Sequence, residues 1–138
     1  MAWMLDTNIC IYLMKQAPPL VIARLESLRE GDAVMSVVTY AELRAGLEMR
    51  EETRARDESV LEALVQRIPV LPFDIPTAQS FGALRAAVRD RRRNALDRMI
   101  AAHAVSVDAV LVTNNEADFA DYPGLVVENW TRDPAAPA

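Results

Sequence analysis

The 138-residue chain is poor in several residue types, and each shortage removes a class of explanation. One cysteine, Cys10, excludes an intramolecular disulfide and fits a reducing cytoplasm. Lying in a helix among apolar neighbours, it reads as an inert packing group. One histidine, His103, cannot with that cysteine supply the usual zinc ligand set. Its place in the middle of an apolar helical face reads as core packing rather than as a catalytic base. Four glycines, Gly31, Gly46, Gly82 and Gly124, match neither of the Gly-rich phosphate-binding fingerprints. No apolar run approaches the ~20 residues of a membrane helix. No basic and then apolar leader precedes Asp6.

What is present describes a folded protein. Hydrophobic residues make up 51% and charged residues 25%, the balance of one soluble domain with a single core. The expected domain covers residues 1–132, with a frayed tail at 133–138. The net charge of −5 repels nucleic acid as a whole, so any contact with RNA or DNA must come from a local basic patch or from metal ions.

Short apolar runs at 2–5, 33–37 and 110–113 are continuous rather than alternating, as strands buried on both faces are. A stretch with prolines at both ends, 69–74, reads as an edge strand, and 125–127 as a last short one. Helical patterns fall between them: about 8–15; about 19–29, with Leu20, Ala23 and Leu28 on one face; Thr39 to about 50; a helix ending near 66; 76–90; and 96–107. Thr39 and Glu42 stand at capping-box spacing. Strands alternating with helices predict a three-layer α/β fold, with a mostly parallel sheet of about 4–5 strands flanked by helices.

Ligands of an open parallel sheet bind beyond the carboxyl ends of its strands. Asp6 follows the first strand directly. Glu42 lies early in the helix after the second. Asp97 opens the helix that precedes the 110–113 strand, and Asp118 follows that strand closely. Four carboxylates on one rim repel one another and raise pKa values. Oxygen-binding divalent cations, Mg²⁺ or Mn²⁺, resolve that conflict and can activate a water for phosphodiester cleavage. Each acid also has a simpler reading. Asp6 can cap a helix, Glu42 can close a capping box, Asp97 can pair with Arg93 or Arg98, and Asp118 can decorate a polar loop. Between 85 and 98 lie six arginines and two aspartates, a local charge of +4. Arg85, Arg89, Arg91, Arg92, Arg93 and Arg98 are thus either a solvated surface or a phosphate clamp beside the acids.

At these residues the chain resembles the PIN-domain family, and more closely its VapC-like toxin branch. The matching segments are Met4-Leu-Asp-Thr-Asn-Ile-Cys-Ile-Tyr12, Ser36-Val-Val-Thr-Tyr-Ala-Glu-Leu-Arg-Ala-Gly46, Leu96-Asp-Arg-Met-Ile-Ala-Ala-His-Ala104, Leu111-Val-Thr-Asn-Asn115 and the stretch from Asp118-Phe119 to Glu128-Asn129-Trp130. They cover nearly the whole chain in order. The resemblance implies a PIN-like fold and a Mg²⁺- or Mn²⁺-dependent endoribonuclease, the toxin of a type II toxin–antitoxin pair. Asp6, Glu42 and Asp97 match the three core acids. Asp118 matches the fourth as VapC-like toxins carry it, whereas other PIN proteins carry it at the position of Asn115. Asn8 and Thr113 would orient the ligands. One departure stands out: the loop before the third acid, often Gly-Pro-containing in such toxins, reads Arg91-Arg-Arg-Asn-Ala-Leu96.

The resemblance also implies a small VapB-like antitoxin whose C-terminal segment wraps the toxin groove, with an arginine reaching the acidic pocket. A homodimer is expected, with Ile11, Tyr12 and Val21 as candidates for both interfaces. The alternatives are a PIN-like nuclease acting on DNA or in RNA processing, and an inert binding module. A phosphoacceptor signalling module fits poorly, since the only lysine, Lys15, lies in the first helix rather than after a late strand.

Overall fold

The computed structural model describes residues 1–88 and 95–133. Five strands, β1 (Ala2–Leu5), β2 (Ala33–Ser36), β3 (Val70–Leu71), β4 (Ala109–Val112) and β5 (Val127–Glu128), form one sheet in the order β3-β2-β1-β4-β5. Every pairing is parallel. The α/β class and the parallel sheet therefore match the expectation. β3 is the proline-flanked edge strand, and β5 falls at 127–128 rather than 125–127. Gly31, at φ 91°, turns the chain into β2, a backbone angle that side chains with a Cβ rarely adopt.

Seven helices surround the sheet among the described residues: α1 (Thr7–Lys15), α2 (Pro19–Glu26), α3 (Val37–Glu48), α4 (Arg54–Arg67), α5 (Ile75–Ala87), α6 (Ala95–Ser106) and α7 (Glu116–Phe119). The pleat sorts the core into two layers. Met4, Val34 and Leu111 pack on one face with Leu84 of α5 and Ile100 of α6. Leu5, Met35 and Val112 pack on the other with Ile9, Leu13, Leu43 and Leu61 from α1, α3 and α4. Each fully buried side chain of this size contributes about 1.5–3 kcal/mol, so both faces of each central strand are committed to burial.

Two local expectations need correction. Helix α3 does not start at Thr39. It begins straight after β2, with Ser36 as its cap: Ser36 Oγ accepts from the Val38 amide at 3.1 Å. No loop intervenes, so the last residue of the strand takes the capping role, and Glu42 is released from any capping box. Helix α2 buries Val21, with Ile22, Leu25 and Leu28 packed against the same core, while Leu20 and Ala23 face outward. The stripe at 21, 25 and 28 follows helical periodicity better than the one expected at 20, 23 and 28.

Candidate active site

The strand order reverses between β1 and β4, where chain connections leave the sheet in opposite directions. That crevice is the usual ligand site of an open parallel sheet. Asp6 emerges there. Its amide still bonds the Val112 carbonyl at 3.0 Å, so the β1–β4 ladder runs up to the site. Its side chain caps α1 by accepting from the Ile9 amide at 3.0 Å. The capping role and a role in the pocket therefore coexist in one residue.

A cavity of about 220 Å³ opens at this point, lined by Asp6, Thr7, Asn8, Glu42, Asp97, Asn115 and Phe119. Three of the four expected acids share it, brought from β1, α3 and α6. Asp6 is 6% exposed. Burial pushes its carboxyl up to about 6, and the charges of Asp97 and Glu42 push the same way; hydrogen bonds from Thr113 and Ile9 act against them. Thr7 Oγ1 donates to Glu42 Oε1 at 2.6 Å and turns that carboxylate towards β1. The sequence reading did not single out Thr7. Its signal was its position, directly after the first acid, and its partner lies 35 residues away.

Thr113, fully buried at the end of β4, links two sides of the site. Its hydroxyl bonds Asp6 and accepts from the Asn115 amide at 3.0 Å. Asn8 is exposed on the rim of the cavity. Asn115 lines the cavity, whereas Asp118, on α7, does not; Asp118 is exposed and its Oδ2 accepts from Asn115 Nδ2. Of the basic patch, Arg85 is exposed on the last turn of α5, but Arg98 is buried within α6 and so stands apart from the surface residues. Arg89, Arg91, Arg92 and Arg93, and the residues of the divergent loop before Ala95, lie outside the described residues.

The donor set suits a hard divalent cation. Three carboxylates and two amide side chains line one small cavity, and one carboxylate, Asp6, is desolvated and pushed up further by its two acidic neighbours. The acids do not close into a cage: among the described residues no group of three His, Cys, Asp or Glu side chains forms a metal-holding cluster by itself.

Two groups outside the acids behave as expected. Cys10 is fully buried, and burial pushes its thiol far above the ordinary range. His103 is 1% exposed, and burial lowers its pKa, which favours the neutral ring.

A second, larger cavity of about 640 Å³ runs between α1, α3 and the start of α4, with Ile11, Met14, Leu43 and Val60 on its walls and Lys15, Arg50, Arg56 and Asp57 around them. Glu42 lines both cavities, so the two adjoin. Of the residues expected at partner surfaces, Ile11 lines this groove. Tyr12 is half-buried and its hydroxyl accepts from Asn114 at 2.9 Å. Val21 is fully buried and is not available to a partner, because it fills the contact between α2 and the core. No helix among the described residues is long and apolar enough to cross a membrane.

Comparison with known proteins agrees with this architecture. The PIN domain family model matches residues 3–125. The chain is 39% identical over 131 residues to the tRNA(fMet)-specific endonuclease VapC of Shigella flexneri, covering 94% of this chain and 98% of that protein. It is 31% identical over 135 residues to ribonuclease VapC2 of Rickettsia felis, covering 96% of this chain and 100% of that protein. In three dimensions it superposes on VapBC2 from Rickettsia felis bound to a promoter DNA fragment, with a TM-score of 0.87 at 31% identity, covering 94% of this chain and 99% of that one. DNA-bound VapBC from Salmonella typhimurium gives 0.86 at 35% identity, covering 94% and 98%. With the fold, the strand-end acids and full-length similarity in agreement, the chain belongs to the PIN domain family, on its VapC-like branch.

Proposed function

We propose that this protein is the toxin of a type II toxin–antitoxin pair and a divalent-metal-dependent endoribonuclease that hydrolyses RNA phosphodiester bonds. The observation that carries this reading is the meeting of Asp6, Glu42 and Asp97 in one cavity at the β1–β4 crevice. Asp6, Glu42 and Asp97 would hold Mg²⁺ or Mn²⁺, with Asn115 as a neutral oxygen donor beside them. The chemistry such an ion would supply there is a lowered pKa for an attacking water and stabilisation of the negative charge on the phosphate.

The chain's own residues prepare that chemistry. Thr113 and the Ile9 amide orient Asp6, and Thr7 orients Glu42. Asp118 steadies Asn115. Exposed Arg85, with the arginines of 89–93, supplies the positive charge by which an acidic protein would hold the flanking RNA backbone. A VapB-like antitoxin would be the natural inhibitor, since the similar structures are VapBC complexes. Its seat would be the groove that adjoins the acids at Glu42. We place the protein in the cytoplasm, as a homodimer. The name of the Shigella relative makes initiator tRNA the first substrate to try.

The test uses the chain purified free of any partner, incubated with initiator tRNA, ribosomal RNA and single-stranded DNA in Mg²⁺, Mn²⁺ or EDTA, beside Asp97→Asn. RNA cleavage that requires both metal and Asp97 is expected. Metal-dependent cleavage of DNA alone, or equal activity in the variant, would overturn the reading.

A further inference from the structure

The only histidine of the chain sits in its interior, away from the acidic cavity, and is fully engaged. His103 Nδ1 lies 2.7 Å from Ser36 Oγ. The ring also hydrogen-bonds the Pro72 carbonyl, and Phe73 meets it edge-on with centroids 5.7 Å apart. These contacts determine where the protons are. A carbonyl only accepts, and Nδ1 is taken up by Ser36, so we assign the hydrogen to the remaining nitrogen, Nε2, as the donor to Pro72. In a neutral imidazole Nδ1 then accepts, and Ser36 supplies the hydroxyl proton. Ser36 Oγ in turn accepts from the Val38 amide, the cap of α3. The chain of bonds runs Val38 N–H, Ser36 O–H, His103 ring, Pro72 C=O.

This relay joins the elements that carry the acids. Ser36 closes the first turn of α3, six residues before Glu42, and His103 stands on α6, six residues after Asp97. An apolar ring would fill the same space without the desolvation penalty of a buried polar pair. What the polar pair adds is a directional bond between the start of α3 and α6.

We propose that His103 is a positioning residue for RNA cleavage, acting through Ser36 to hold Glu42 of α3 in register with Asp97 of α6. The inference rests on the ribonuclease reading above and adds a residue that touches neither substrate nor ion.

Two amides can separate the two arms of the ring. His103→Asn places an amide oxygen near the position of Nδ1 and keeps the Ser36 arm. His103→Gln reaches the position of Nε2 and keeps the Pro72 arm. His103→Phe keeps neither. If the Ser36 arm positions the acids, kcat on initiator tRNA falls about tenfold or more in the Gln and Phe variants, with KM within about twofold, and the Asn variant stays within about threefold of wild type. Mn²⁺ affinity, read by calorimetry without RNA, follows the same order. Equal losses in the Asn and Gln variants, or none in either, would overturn the proposal. If the Gln variant does not fold, Ser36→Ala carries the same test of kcat and Mn²⁺ affinity.

Because the chain has one histidine, ¹⁵N NMR of the imidazole is unambiguous. The Nε2–H tautomer is expected, with an Nδ1 shift that changes in Ser36→Ala; the Nδ1–H tautomer would overturn the relay. The two readings fail separately. Wild-type cleavage lost in Asp97→Asn but unchanged in His103→Gln defeats only the positioning role. Absence of wild-type cleavage defeats the ribonuclease reading and leaves the calorimetry and NMR to decide on His103.

Discussion

Thr7 Oγ1 donates to Glu42 Oε1 at 2.6 Å, joining the first residue of α1 to the middle of α3 across 35 residues of chain. A hydrogen bond to a charged acceptor is worth about 1.5–3 kcal/mol, enough to decide which way a half-buried carboxylate points. Thr7→Val keeps the shape and removes the donor. It is expected to lower cleavage about tenfold or more, with a melting temperature within a few degrees of wild type. Initial rates on initiator tRNA and a thermal melt would check both halves.

Asp6 links the site to pH. Its folded-state pKa, about 6, stands above the value of 3.8 that the exposed carboxyl would have. The folded state therefore holds this proton more tightly. That contribution to stability is complete below about pH 3.8 and is lost as pH rises towards about 6. Above that window the buried charge costs metal-free protein about 3 kcal/mol. Asp6→Asn keeps a good helix cap and removes the charge. In EDTA at pH 8 the variant should melt several degrees above wild type, and the gap should close near pH 4. Excess Mn²⁺ at pH 8 should raise the wild-type melt and leave the variant unmoved. Calorimetric scans at the two pH values would show it.

Asn115 and Asp118 form a third testable pair. Asn115 lines the cavity, and Asp118 reaches the site only by holding the Asn115 amide. Asn115→Ala should therefore cost more activity than Asp118→Ala. The double variant should be no worse than Asn115→Ala, the mark of two groups acting in series. Additive losses in a double-mutant cycle would instead place Asp118 at the reacting groups by itself.

The segment around β5 is held by a cluster at Trp130, which is 1% exposed. Its Nε1 donates to Glu128 Oε1 at 2.9 Å, Arg24 pairs with Glu128, and the Arg24 guanidinium carbon lies 5.4 Å from the indole centroid. Trp130→Ala should destabilise the fold by about 3–5 kcal/mol through the cavity it leaves. Denaturant titration followed by circular dichroism would measure the loss.

Much of this was legible in the residues themselves. Continuous apolar runs marked β1, β2 and β4, because a strand covered on both faces has no polar side to alternate with. Asp6, Glu42 and Asp97 could be placed at strand ends for the same reason. The start of α3 was not legible, because Thr39 and Glu42 have capping-box spacing while a strand that runs directly into a helix lets Ser36 cap it. Nor was the division between Asn115 and Asp118, since one short turn of helix, α7, determines which of them faces the cavity. Arg98 read as part of a surface charge run, yet α6 is buried on several sides and takes that side chain inward. In each case the missing information was tertiary contact rather than local preference.

The pairing of β1 with β4, Ala2 beside Ala109 through Leu5 beside Val112, has a consequence for how the protein is made. The two strands that frame the crevice stand far apart in the sequence. Asp6 and Glu42 are made before the wall that carries Thr113 and Asn115. A domain folds as a unit once its sequence has emerged. The nascent chain is thus without a finished cleft until β4 and the residues that follow it have been made.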